Sequence, residues 1–431
     1  MGGLLALAAP AAGGEFRFLV EGELGAQDEG GYGDEQDVAF RQDDPIARAG
    51  VNLQLSYALQ RLSLALDYSP SYERNLEDTD LSGTTHLLDF GLVGDLTRTL
   101  QLNVREQLLS LPDLNSYQPV AAPVTYVTTP RGDQLAHSLD VSLDQAYSRR
   151  FSLSLGLSHS LRRFEEDDFV DSETLGGRMS ASWELAEGRL LEALAGSSRF
   201  DYGDQGDSDV LTFGLAYAMA VGRDSLLRVE GGTYSVESKR TVLLLPPPVP
   251  GVPPGSEPEP VPAAGEVREE DDGWRGSLQF SQSRRLFRWG LGVSHDISAG
   301  AGLGRAVEAD NAYVDVSWPV SRQWELGLDG NASRQTEIFE SIAVDGQTLA
   351  GESLTEFVAG TARASWSFTP AFRLSGSYSR IWQSSEVEPF ADLSYSRYFL
   401  SLAFRLFSAG ETPNEPESLG RPIDDDEPDT H

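Results

Sequence analysis

Residues 149–169 read RRFSLSLGLSHSLRRFEEDDF. Phe151, Leu153, Leu155, Leu157 and Leu161 share one parity, and Ser152, Ser154, Gly156, Ser158 and Ser160 take the other. Period-2 alternation places successive side chains on opposite faces of a strand. The stretch therefore predicts a strand over 150–163 with one oily face and one face of hydroxyls and glycine. Soluble strands average only about 5–6 residues, whereas a tilted strand needs about 9–11 to cross a bilayer. Length, more than composition, decides between a water-soluble sandwich and a wall that faces lipid.

The same pattern recurs along the chain. Alternating segments are expected at 16–24, 46–58, 61–70, 86–96, 99–110, 135–147, 150–163, 176–186, 189–200, 210–222, 225–236, 273–283, 286–297, 310–320, 323–334, 356–369, 371–382 and 392–407. Short turns near 59–60, 97–98, 148–149, 187–188, 223–224, 284–285, 321–322 and 370 take turns with longer polar connections. The longest of these are 25–45, 111–134, 237–272 and 335–355. Short turns on one side and long loops on the other are the asymmetry of an up-and-down transmembrane barrel. The expectation is all-β: one antiparallel barrel of 16–18 strands, about 18, over 15–407.

Composition supports and limits this. The 431 residues hold no cysteine, which removes disulfides and thiolate metal sites. A net charge of −34 argues against nucleic acid as a partner. Segments 26–45, 164–174, 201–209, 237–273 and 408–431 together carry −28 of it, so the charge belongs to the long connections and the tail. Acidic outer loops could share divalent cations with anionic lipopolysaccharide, but no calcium-loop spacing is present and no metal or cofactor is assigned. Residues 1–14, MGGLLALAAPAAGG, read as a truncated signal peptide. Residues 242–263 are proline-rich and read as one extended outer loop; 408–431 read as an acidic, disordered periplasmic tail.

Parity assigns the faces. On the polar side fall Arg48, Asp67, Asp89, Arg105, Asp140, Arg178, Glu184, Arg228, Glu230, Arg275, Arg288, Asp315, Glu325, Asp329, Arg363, Arg373 and Arg405, the candidate pore lining. Such a wall cannot be a dry core, where unpaired charge is costly. It must be wet or laced with ion pairs between neighbouring strands. On the apolar side, Phe151, Phe287, Trp289, Trp318, Trp324, Trp366, Phe368 and Phe372 crowd the short turns, as an aromatic girdle at the head-group level would.

Catalysis has little to stand on. His159 sits between Ser158 and Ser160, but neighbours in a strand face opposite sides, and a nucleophile needs its base on its own face. Parity instead puts His159 on the lipid side at head-group depth, with His137 and His295 also on that side near strand ends. Arg131-Gly132-Asp133 follows Pro130 and reads as an ordinary turn. No enzyme is expected.

The strand patterning, the alternating connections and the last strand, RYFLSLAFRLF (397–407), resemble bacterial outer-membrane β-barrel proteins over residues 15–407. That resemblance implies outer-membrane lipid, lipopolysaccharide and the barrel-assembly machinery as partners. Phe407 could serve the machinery's terminal aromatic signal, although the tail follows it. The hairpins launched by RLSLALDYS (61–69) and RFSLSLGLS (150–158) show a fainter likeness to barrels associated with exopolysaccharide secretion. The expected function is a channel for polar solutes, with polysaccharide export as the specific form and the tail engaging a periplasmic export partner. A general diffusion porin and a non-conducting barrel that presents its loops as a surface-binding scaffold are the alternatives.

Overall fold

The computed structural model describes residues 15–32, 46–76, 82–111, 134–164, 170–244, 263–284, 286–298, 306–337, 342–344, 347–349, 354–385 and 393–409. Eighteen strands form the wall: β1 (Glu15–Tyr32), β2 (Ile46–Leu59), β3 (Leu62–Asn75), β4 (Gly83–Asp95), β5 (Leu100–Leu111), β6 (Gln134–Ser148), β7 (Phe151–Phe164), β8 (Ser172–Ala186), β9 (Arg189–Asp201), β10 (Gly206–Ala220), β11 (Ser225–Leu244), β12 (Ala263–Arg284), β13 (Phe287–Ser298), β14 (Val307–Pro319), β15 (Trp324–Glu337), β18 (Leu354–Thr369), β19 (Phe372–Ser385) and β20 (Leu393–Ala409). Between β15 and β18, β16 (Ile342–Val344) and β17 (Gln347–Leu349) pair only with each other. Each wall strand runs antiparallel to its sequence neighbour, and β1 also pairs with β20, which closes the sheet into a barrel. Through the part of the wall where each strand is paired on both sides, closure lets neighbouring strands meet the backbone donors and acceptors.

All eighteen expected segments are strands. Their short turns are tight because the residues there permit it. Glu187-Gly188 is a two-residue connection in which Gly188 has φ 69, a left-handed conformation that favours glycine. A side chain there would also press on Ala220, since an added Cβ would lie 3.0 Å from its Cβ.

Corrections fall at the opposite end of the barrel. The loops expected at 25–45 and 237–272 are partly strand: β1 continues to Tyr32, while β11 and β12 pair as far as Leu244 and Ala263. Alternation fades there because neither face meets lipid, yet backbone pairing persists without an apolar face. The connection 335–355 likewise contains the small β16–β17 hairpin. Residues 1–14, most of the proline-rich stretch, Arg131-Gly132-Asp133, the acidic run 165–168 and 410–431 lie outside the described residues.

The faces are those of a protein turned inside out. Leu157 (66 % exposed), Phe213 and Leu215 (59 % each) stand open on the convex face. The polar parity faces the interior. There Gln383, Gln335, Thr355 and Arg397 are buried near the long-connection end.

Candidate functional site

The inner wall is a set of charges that satisfy one another across strands. On β2–β5, Asp67 and Asp89 sit directly opposite each other. Each carboxylate is held by its own donors. Asp67 accepts from Asn52 (2.8 Å), Gln54 (3.1 Å) and Ser69 (3.2 Å), and Asp89 accepts from Arg105 (3.0 Å) and Gln107 (2.7 Å). Like charges opposed in a ladder destabilise it unless donors take them up, and these five side chains do so.

A second network crosses β9 to β13. Arg228 bridges Glu192 (2.9 Å) and Glu230 (3.4 Å); Arg275 joins Glu230 (3.1 Å) to Asp296 (2.9 Å). Ala216 lies between Glu192 and Glu230 in the ladder. Its small side chain lets Arg228 reach over β10 to Glu192. A third group holds Arg363 to Asp329 at 3.3 Å and Arg288 to Glu325 at 4.0 Å, with Ser317 donating to Glu325 at 2.8 Å. Asp315 faces Asp329 across the ladder and lies over Gly290, where a Cβ would come 2.6 Å from its Oδ1. Arg48 meets Glu73 at 3.7 Å. Arg373 and Arg405 also have partners, and both carry the inward parity of β19 and β20.

One sector differs. On β7 and β8 the inward residues are Ser152, Ser154, Gly156, Ser158 and Ser160, then Gly176, Arg178, Ser180, Ser182 and Glu184. Arg178 lies across Gly156, where a Cβ would come 2.7 Å from its Nε, and Gly196 is its partner on β9. Arg363 folds over Gly327 in the same manner and finds Asp329. Among the described residues, Arg178 has no carboxylate within ion-pair distance. Asp144, on the flanking β6, accepts from Asn103 at 2.6 Å, and Asp140 pairs in register with Ser158.

Exposure is graded along the axis. From the short turns to mid-strand the side chains of Arg288 (56 %), Glu325 (51 %), Arg105 (62 %) and Arg363 (55 %) are open. Toward the other end the inward residues Ser71, Glu73, Thr85, Ser333, Gln335, Thr355, Phe357 and Gln383 are buried. The inward side chains are thus open toward the short-turn end and buried at the long-connection end.

The outer face carries the aromatic residues expected beside the short turns. Trp324 stacks on Trp366 (centroids 5.7 Å), Trp366 contacts Phe368 (5.3 Å), and Phe368 stacks on Phe372 (5.7 Å). Phe151 meets Trp183 (5.2 Å) and Tyr147 (5.9 Å). Trp289 contacts Phe280 (5.0 Å), Phe287 lies two residues before it, and Trp318 is half-exposed. Trp183 and Tyr147 extend the arc beyond the eight residues expected. Both flank short turns, so proximity to a turn would have found them.

The four described histidines all face outward, and each is held. His86 meets Tyr68 (2.9 Å), His137 meets Glu106 (3.2 Å), His159 meets Glu173 (3.0 Å) and His295 meets Asp310 (2.8 Å). No serine hydroxyl is their partner, so the arrangement is not that of an activated nucleophile. His159 is eight residues above Phe151, which at about 3.3 Å per residue and a tilt near 40° puts it about 20 Å up a band roughly 25 Å tall. Cross-strand acid–histidine pairing was not visible in any single segment. It needs the register between strands.

No protein-family profile matches the chain, and no curated protein sequence does. Solved structures of similar overall shape include Pseudomonas aeruginosa OccK2 (OpdF), 12 % identical, covering 90 % of this chain and 98 % of that one at a TM-score of 0.44. They also include Acinetobacter baumannii OccAB1 (8 % identity, 91 % and 97 % covered, TM-score 0.45) and the copper transporter OprC (10 %, 91 % and 68 %, 0.45). At such scores the likenesses say nothing of this chain's interior or its solute, and the case for its function rests on its own geometry.

Proposed function

We propose that this chain is an outer-membrane channel for hydrated polar solutes, and that its specific cargo is a glycan chain leaving the cell. The observation that carries this is the division of the inner wall. Its charges are largely consumed by one another, while the β7–β8 sector offers free hydroxyls and one free guanidinium. Paired charges of both signs leave little field to select or trap a small ion. Serine hydroxyls at every second residue give a sugar many weak, exchangeable hydrogen bonds in place of one strong site. Arg178 would donate to ring or acidic-group oxygens as the chain passes. An apolar convex face with aromatics beside the short turns suits a bilayer whose head groups lie at that level. On this orientation the short-turn end opens to the periplasm, where an export partner would deliver the chain.

Planar-bilayer recording of the refolded barrel tests the proposal. Steady conductance with reversible, concentration-dependent block by neutral oligosaccharides added at the short-turn end is the expected result. Conductance without saccharide block would leave a general diffusion porin. A folded, heat-modifiable barrel that never conducts would leave a structural, surface-presenting wall.

A further inference from the structure

The upper ends of β13 and β14 do not continue the wall. Pairing between β12 and β13 stops at Gly276 opposite His295, although β12 runs on to Ala263 with only β11 beside it. Beyond that point, contacts link faces that alternation assigns to opposite sides of the sheet. Ile297 and Glu308, partners in the β13–β14 ladder, carry the outward parity of their strands. Yet Ile297 packs against the buried cluster of Phe200, Tyr202, Val210, Tyr234, Val236 and Ala306, in which Phe200, Val210, Tyr234 and Val236 carry the inward parity of β9, β10 and β11. Tyr234 also donates its hydroxyl hydrogen to Glu308. Opposite parities meet here because the β13–β14 end lies under the β11–β12 ribbon, against the ribbon's inward face. Its other face is covered as well: Val307 and Ala309 are 0–1 % exposed.

Gly273 makes the contact possible. The Tyr234 ring crosses it on the way to Glu308, and a Cβ at that position would overlap the phenol oxygen. On the convex side, Trp274 stacks on His295 at 4.2 Å beside the break.

We infer that this tucked β13–β14 end, held by Tyr234, Glu308 and Gly273, is the element that sets the size limit of the channel. The inference rests on the channel reading above. It assigns to these residues a specificity role distinct from that of the serine sector: they decide how wide a solute passes, not what it binds. The tuck is formed by 296–298 and 306–310 on one side and by β9–β12 on the other.

The chain has no cysteine, so a Val236→Cys/Ile297→Cys pair would hold the only two thiols. In the refolded, heat-modifiable barrel, a short bifunctional thiol reagent should join them and leave the conductance and exclusion limit those of the parent. Tyr234→Phe and Gly273→Ala, made separately, should each raise single-channel conductance and admit larger polyethylene glycols. A folded pair that conducts but will not cross-link overturns the tuck itself. Both single variants keeping the parent conductance and exclusion limit overturn the size-selecting role. A barrel that cross-links but conducts in no variant overturns the channel reading along with that role, and leaves the tucked geometry as observed.

Discussion

Reversing the chemistry of one position on β7 tests the two-faced wall directly. Leu155 stands on the convex face, 56 % exposed, opposite Leu143 on β6 and Met179 on β8. It lies four residues above Phe151, or about 10 Å at 3.3 Å per residue and a 40° tilt, close to the middle of a band about 25 Å tall. Arginine at that depth on the lipid face should cost about 2–4 kcal/mol. Ser154, the adjacent residue, points inward and pairs in register with Asp144 and Ser180. Ser154→Arg meets water and a carboxylate, so its cost should stay within about 1 kcal/mol, the range of exposed pairs. Reversible urea unfolding of both variants in lipid vesicles, followed by tryptophan fluorescence, gives the two differences. If Ser154→Arg destabilises more than Leu155→Arg, the parity assigned to the strand is wrong, and with it the identity of the inner wall.

Other expectations follow from the networks and rims. Arg228→Ala strips the shared partner from Glu192 and Glu230, whose side chains are 15 % and 13 % exposed. Partial hydration discounts the roughly 3–5 kcal/mol of a fully buried broken pair, so about 1–3 kcal/mol should be lost in the same unfolding assay. Trp324 and Trp366 should be quenched by lipids brominated near the head group more than by lipids brominated near the acyl terminus; the reverse order would remove them from the girdle. Asp271, thirteen residues above the β12 turn and so beyond the apolar band, has its carboxyl pushed up from 3.8 by burial, and Glu308 and Asp272 add to this against a backbone hydrogen bond that lowers it. A raised acid pKa means that the protonated form favours the fold. The β11–β12 ribbon over the β13–β14 end should therefore tighten as pH falls through that raised value and loosen above it. Hydrogen exchange of the ribbon at two pH values reads this, and Asp271→Asn should abolish the difference.

How much of this was legible in the sequence depends on what each feature needs. Every wall strand could be found because lipid on one side and water on the other force strict alternation, as in Leu62, Leu64 and Leu66 against Ser63, Ala65 and Asp67. Above the band that force disappears. The upper halves of β11 and β12, with Glu237, Glu269, Glu270 and Asp272, looked like loop although their backbones pair residue for residue. The polar residues of the inner wall could be named from parity alone. Their partners could not, because Arg228 reaching Glu192 depends on register and on the small size of Ala216 between them. The placement of Ile297 and Glu308 against the ribbon's inward face had no trace in the pattern, which assigns them to the opposite face.

One pairing in the wall is unlike all the others. Each remaining ladder joins strands that follow one another along the chain, whereas β1 against β20 brings Phe18 beside Ala409. Closing a loop costs about (3/2)RT ln n, so this seam costs roughly 2–3 kcal/mol more than a hairpin of twenty residues or so. Folding should therefore accumulate hairpins first and zip the seam last. Until that moment the growing sheet has two bare edges, each offering unpaired amides and carbonyls to a neighbouring molecule. Whatever shepherds the chain into the membrane has its most consequential task at Phe18 to Tyr32 and Ser394 to Ala409, where a delay would leave an open sheet prone to stacking with another copy of itself.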